Sequence, residues 1–146
     1  MISKLPIFFS IVTFSFCLFS CSDNDSGDNE TDCGDKVVIN EDLYQNGDAD
    51  FINIISVELM EDCLTIQYAA SGCSGDSWEL ALYDSGAIAE SLPEQRFIRL
   101  ALNNPEACLA VFEREISFDI SDLRISGSAE LILNLDNYES VLNYRY

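Results

Sequence analysis

No histidine occurs anywhere in the 146 residues, and seven lysine and arginine side chains face 26 aspartates and glutamates. The missing imidazole removes the commonest general base, most hydrolase triads and most transition-metal sites. The scarcity of cations gives a net charge of −19, a field that favours solubility and repels nucleic acid and anionic lipid headgroups, so no nucleic-acid role is expected. No two cysteines stand in CxxC spacing, which argues against a zinc knuckle or ribbon. Long amphipathic helices and internal repeats are missing too. The uncharged run of residues 7–20 would rise about 21 Å as a helix, short of the roughly 30 Å hydrocarbon core.

What is present begins with a leader. Lys4 is followed by IFFSIVTFSFCLFS, apolar or small throughout. A basic start, a short apolar run and a small residue before a cut describe an export signal. Leu18-Phe19-Ser20-Cys21 resembles the lipobox of bacterial lipoproteins, with an aliphatic residue at −3, a small one at −1 and the cysteine that is lipidated. Phe19 is bulkier than that motif usually carries. The resemblance implies cleavage after Ser20 and acylation of Cys21; the plainer alternative is an ordinary signal peptide with a chance cysteine. At about 0.8 kcal/mol per buried methylene, two or three acyl chains on one cysteine make a stable anchor. Removing residues 1–20 leaves six basic groups and 26 acids, a net charge of −20.

Residues 22–35 (SDNDSGDNETDCGD) carry six acids, no base and no aliphatic or aromatic side chain. Such a stretch buries too little apolar surface to offset the entropy of ordering, and is expected to be a solvated tether. Like charges keep it extended and hold the rest of the chain off the membrane. Ser22-Asp23-Asn24-Asp25 also resembles the surface-export signals of Bacteroidota lipoproteins. That implies anchoring to the outer membrane with exposure at the cell surface; the periplasmic face is the alternative. The expected organisation is a signal peptide over 1–20, an acidic tether over 21–35 and one domain over 36–146.

From Lys36 onward the alternation is that of strands. Leu64, Ile66 and Tyr68 alternate with Thr65, Gln67 and Ala69, and the same period of two recurs at Trp78-Leu80-Leu82, Ile98-Leu100-Leu102, Ile116-Phe118-Ile120, Leu131-Leu133-Leu135 and Leu142-Tyr144-Tyr146. A repeated period of two argues for half-buried antiparallel strands. Turn chemistry separates them, as at Ser71-Gly72, Ser85-Gly86, Asn103-Asn104-Pro105 and Ser126-Gly127. Seven or eight strands are expected, near 36–40, 52–60, 63–70, 77–84, 95–102, 110–120, 129–135 and 141–146, with single helical turns at 41–45 and 105–109. The fold class predicted is an all-β antiparallel sandwich, immunoglobulin-like or a related Greek key. A transmembrane eight-stranded barrel fits less well, because it needs strands of about nine to eleven residues and aromatic girdles.

Once Cys17 leaves with the leader and Cys21 is acylated, four cysteines remain, Cys33, Cys63, Cys73 and Cys108. An even number in a small exported domain points to two disulfides, with three possible pairings. The order Cys63…Trp78…Cys108 invites the immunoglobulin pairing, but no Tyr lies two residues before Cys108. Cys108 follows a Pro-containing loop, which favours Cys73–Cys108 with Cys33–Cys63. Each bridge would contribute on the order of 3 to 4 kcal/mol; a Cys63–Cys108 bridge would restore the immunoglobulin version.

A wider resemblance covers roughly residues 54–146. Asp62-Cys63-Leu64-Thr65-Ile66, Ser71-Gly72-Cys73, Trp78-Glu79-Leu80, Pro93-Glu94-Gln95-Arg96, Ala107-Cys108 and Ile116-Ser117-Phe118-Asp119-Ile120-Ser121-Asp122-Leu123 are together similar to a group of small uncharacterised Bacteroidota lipoproteins. Many members of that group carry a His a few residues after the cysteine matching Cys73, and this chain has none. The resemblance implies a Cys73–Cys108 pairing and the envelope address, and no activity.

Groups that could carry chemistry are few. Lys36 is the only lysine after cleavage, so a Ser–Lys dyad would have to form there. Glu113 and Glu115 could act as acid and base, but they alternate with Phe112 and Ile116 and read as a solvated strand face. A calcium loop is suggested by Asp23-Asn24-Asp25-Ser26-Gly27-Asp28 and by Asn46-Gly47-Asp48-Ala49-Asp50; both lack the full frame and read as tether or turn. Arg96 and Arg99 could meet an acidic ligand, or pair with neighbouring acids. Trp78, Tyr68 and Phe97 could form a carbohydrate platform, although the phase of Trp78 with Leu80 and Leu82 places it in the core. The expectation is therefore a monomeric, non-catalytic binding or accessory module with no cofactor and no metal, held at the membrane through lipid on Cys21 and open to a protein or glycan partner. An inhibitor or immunity-like protein, or a small carboxylate-dependent enzyme, are the alternatives.

Overall fold

The computed structural model describes residues 33–146. The leader, Cys21, the acidic tether up to residue 32 and the Asp23–Asp28 loop lie outside the described residues. Among the described residues nine strands form, in two sheets. They are β1 (Asp35–Lys36), β2 (Val38–Ile39), β3 (Asn53–Met60), β4 (Cys63–Gly72), β5 (Glu79–Ala89), β6 (Glu94–Asn103), β7 (Ala110–Asp119), β8 (Glu130–Leu135) and β9 (Leu142–Arg145). Helix α1 (Glu41–Asn46) follows β2, and a 3-10 turn spans Ser121–Leu123. One sheet runs β1-β7-β4-β3 and the other β2-β5-β6-β8-β9.

The all-β sandwich expected from the alternation is what forms. Leu64 and Ile66 of β4 and Phe118 of β7 meet Leu82, Ile98, Leu131, Leu133 and Tyr144 of the second sheet in one core. Each fully buried aliphatic or aromatic side chain contributes roughly 1.5–3 kcal/mol. A bulge between Ile54 and Ser56 shifts the phase of β3. Ile54, Val57 and Leu59 therefore pack inward while Ile55 turns out.

Three details differ from the expectation. The strand expected over 36–40 is two strands, and it serves both sheets: β1 runs parallel to β7, and β2 runs parallel to β5. The chain crosses between them at buried Val37, whose N–H donates to the Asp119 carbonyl at 3.0 Å. The sheets are accordingly mixed rather than purely antiparallel, with a third parallel pair, β6 and β8, because the chain changes sheet between β7 and β8. No helical turn forms at 105–109. Asn104 Oδ1 instead accepts the Glu106 N–H at 2.9 Å, a local side-chain bond that competes with helix. The turn expected at 41–45 does form, as α1, capped by Asn40, whose Oδ1 accepts the Leu43 N–H at 3.0 Å.

Both disulfides are present, Cys33–Cys63 and Cys73–Cys108; the Cys63–Cys108 bridge of the immunoglobulin version is not. Cys33, read from sequence as part of the tether, is only 3 % exposed. The bridges sit at opposite ends of β4, since Cys63 begins it and Cys73 follows its last residue, Gly72. Ten extended residues separate those ends by about 30 Å. The end at Cys33–Cys63 is here the proximal end, and that at Cys73–Cys108 the distal end.

Candidate functional site

At the distal end, residues 72–78 and 103–109 are zipped together by one carboxylate. Glu106 accepts the backbone N–H groups of Cys73, of Ser74 at 2.9 Å and of Gly75 at 3.0 Å. The hydroxyls of Ser74 and Ser77 add bonds to Glu106 at 3.3 and 2.9 Å. Successive N–H groups aimed at one point form an anion-binding concavity, and here the protein fills it with its own side chain. These donors, the Ser74 and Gly75 amides foremost, pull the Glu106 carboxyl down to about 2. Asn104 ties the loops once more, donating from its side-chain amide to the Ser71 carbonyl at 2.7 Å.

Trp78 closes the same end. It lies 6.2 Å from Tyr68 and 6.5 Å from Phe112 between ring centroids. Gly72 is required beneath it: a Cβ there would lie 2.8 Å from Trp78 Cζ2 and would run into the Glu106 carboxylate. The indole N–H is buried without a hydrogen-bond partner among the described residues. Trp78 is half-buried and belongs to this distal cluster rather than to the main core, because its strand begins only at Glu79. Arg114 reaches across the loops, donating to the Ser74 carbonyl at 2.8 Å with its guanidinium 5.9 Å from the Phe112 ring. Beside this clamped structure Leu109 is 90 % exposed and Val111 70 % exposed.

The proximal end is built on charge. Asp62, in the β3–β4 turn, takes the Arg124 guanidinium through Nη2 at 2.6 Å and Nε at 3.1 Å, and accepts the Tyr144 hydroxyl. Burial, followed by the bond to Asp62, raises the Tyr144 pKa. A shallow cleft of about 420 Å³ beside it is lined by Leu59, Glu61, Asn143, Tyr144 and Arg145. A second cleft, of about 370 Å³, lies where residues 48–54 pass Arg99 and Asn137. The Tyr44 hydroxyl donates to Asp136 at 3.0 Å, and burial together with that bond pushes Tyr44 up to about 12.

The residues singled out from sequence are dispersed. Arg96 is 6 % exposed and binds Asp84, itself fully buried, with two hydrogen bonds of 3.1 and 2.8 Å. Arg99 donates to the Leu43 carbonyl at 2.7 Å, while its Nε is buried without a partner among the described residues. Arg96 thus has the acidic neighbour, and Arg99 binds the end of α1. Tyr68 and Trp78 do meet, but Phe97 alternates with buried Arg96 and Ile98 on β6 and faces away from them; Phe112 takes its place. Glu113 and Glu115 stand on the exposed outer face of β7. Lys36 approaches Asp122 at 3.5 Å and Asp119 at 4.0 Å. Asp50 accepts the Asn104 N–H at 2.7 Å, which ties the 46–50 segment to the distal loops. Among the described residues no group of three or more Cys, Asp or Glu gathers as metal ligands.

Sequence reasoning missed the Glu106 clasp and the Asp62–Arg124–Tyr144 network. Neither has a local signal, because their members lie 20 to 82 residues apart along the chain. The Asp84–Arg96 pair did have one: Asp84 is in phase with Leu80 and Leu82, and Arg96 with Ile98 and Leu100.

No protein-family model matches the chain, and no curated protein matches it. Among solved structures it is similar to a protein of unknown function, DUF1344, from Bacteroides vulgatus ATCC 8482, at 17 % identity and a TM-score of 0.55 over 77 % of this chain and 56 % of that one. It is also similar to a NigD-like immunity protein from Bacteroides caccae ATCC 43185, at 10 % identity and a TM-score of 0.56 over 76 % of this chain and 58 % of that one. The chain spans somewhat more than half the length of each. At these identities the likeness is one of fold, and it links the sandwich to proteins of Bacteroides.

Proposed function

We propose that the chain is an outer-membrane lipoprotein, acylated at Cys21, whose sandwich is a non-catalytic binding module displayed at the cell surface. One observation carries this reading. Cys33, the first described residue, is pinned to Cys63 at the proximal end, while the loops clamped by Glu106 and Cys73–Cys108 lie about 30 Å away along β4. Loops ordered that firmly, far from the point of attachment, suit recognition, because little conformational entropy is left to lose on binding. Tether, fold and clasp then form one device: lipid at one end, a prepared surface at the other. A second reading, an immunity-type protein that occupies one protein partner, is supported by the likeness to a NigD-like immunity protein.

The test is affinity capture from the native host's envelope with the full chain as bait, paired with a glycan array. Glycan hits or several envelope partners support the display module. One stoichiometric protein partner supports the immunity reading. Turnover of a substrate abolished by a single carboxylate change would overturn both, in favour of a carboxylate enzyme.

A further inference from the structure

We infer that the free edge of β7 docks a β-strand from a cationic protein. The inference rests on the binding-module reading and names its surface and partner. Along one edge β7 pairs with β4 over its whole length, from Gly72↔Ala110 to Cys63↔Asp119. Along the other, among the described residues, β1 pairs only with Phe118 and Asp119. Among the described residues, 110–116 therefore present about 23 Å of unpaired backbone, and an open edge of that length is a template for another strand.

Natural edges are blunted with charge, and β7 is blunted only in part. Glu113, Arg114 and Glu115 protect its middle, whereas Leu109 and Val111 at the distal end stand 90 % and 70 % exposed. Leu109, Val111, Glu113 and Glu115 share one alternation, so the outer face along this edge reads apolar and then acidic. Across the rest of that sheet face come Ser71, Ala69, Gln67 and Thr65 of β4 and Ser56 and Glu58 of β3, with no basic residue among them. The clamped Cys73–Cys108 end holds this edge in place.

Charge complementarity selects the occupant. A second copy added edge to edge would bring Glu113 and Glu115 against their own counterparts, in a chain of net charge −19, and like charges across a strand pair are destabilising. An anionic membrane is repelled for the same reason. A strand with Lys or Arg at alternate positions and an aliphatic residue beside Val111 satisfies the backbone, the acids and the apolar end together.

The probes are two synthetic peptides, alternating Lys–Val and alternating Glu–Val, titrated against the full chain with amide exchange read at each residue. The Lys–Val peptide is expected to bind and to protect amides within 110–116, and the Glu–Val peptide to fail. Val111→Asp is the discriminating variant. It adds a negative charge, so diffuse attraction alone would hold the cationic peptide as tightly or tighter; strand docking predicts about tenfold weaker binding. Binding unchanged or strengthened in that variant, protection only at β3 or β9, or no binding overturns the inference. Photocrosslinking in the native host separates this from the parent reading. A partner caught from position 111 supports both. A partner caught from Ile132 or Asn143, on the other sheet, but not from 111 removes the β7 edge and leaves the binding module. No partner from 111, 132 or 143 removes the β7 edge, and the binding module falls with it only if the glycan array and the affinity capture also return nothing.

Discussion

Asp84 and Arg96 form the one fully enclosed ion pair among the described residues, and removing either member tests how the core is held. Asp84 does two jobs: it binds the Arg96 guanidinium twice, and its Oδ1 accepts the Gly86 N–H at 2.7 Å. Gly86 sits at φ 75°, a conformation that the Asp84 side chain supports from two residues upstream. Arg96→Ala leaves a carboxylate in an apolar interior, and Asp84→Ala strands a guanidinium. Each is expected to cost about 3–5 kcal/mol. For a domain of this size, at about 4 °C per kcal/mol, the melting temperature falls by roughly 12–20 °C. The double variant Asp84→Leu/Arg96→Met replaces both charges with apolar groups, which is neutral or stabilising in comparable sites. It still orphans the Gly86 amide, at about 1–3 kcal/mol. It should therefore lie within about 2 kcal/mol of the parent chain, well above either single variant. Urea unfolding followed by Trp78 fluorescence and circular dichroism measures all three. Single variants costing under about 1 kcal/mol, or a double variant whose loss equals the sum of the two, would refute the enclosed-pair argument.

The geometry sets three further outcomes. Replacing Cys73 and Cys108 by Ala opens a loop of sequence separation 35 and is expected to cost about 4 kcal/mol on the loop-closure relation, measured by the same urea titration. The Glu106 carboxyl is held at about 2, below its ordinary value of 4.5. Its contribution is therefore complete above about 4.5 and fades as pH falls toward about 2; Trp78 emission should shift over that window in the parent chain and stay flat in Glu106→Gln. Tyr144→Phe removes a hydroxyl bonded to charged Asp62 and Arg124. It is expected to cost roughly 1.5–3 kcal/mol, with near-ultraviolet circular dichroism confirming that the fold persists.

Where a strand is long and one face is buried, its alternation was readable: Leu64-Ile66-Tyr68, Ile98-Leu100-Leu102 and Leu131-Leu133-Leu135 are all buried. Two-residue strands such as β1 and β2 carry no period, so the switch of the N-terminal segment between sheets was invisible. Its only trace is Val37, a lone buried apolar residue between exposed neighbours. Arg96 and Arg99 stand out in the sequence as two of the few cations, both on one expected strand. An odd separation of three on a strand sends them to opposite faces, one into the core and the other against α1. Ser121–Leu123 falls between the strands expected at 110–120 and 129–135; it forms a 3-10 turn whose Leu123 points inward and is fully buried. The distal clasp was least legible, since a Glu after a Pro advertises a helix start, and only the three amides of another loop show why its side chain turns away.

The proposed display at the cell surface depends most directly on the chemistry of Cys21. Mass spectrometry of the protein extracted from its native host should find a chain beginning at residue 21 with two or three acyl groups on that cysteine. A chain that still carries residues 1–20, or one whose Cys21 bears a free thiol, would contradict the account.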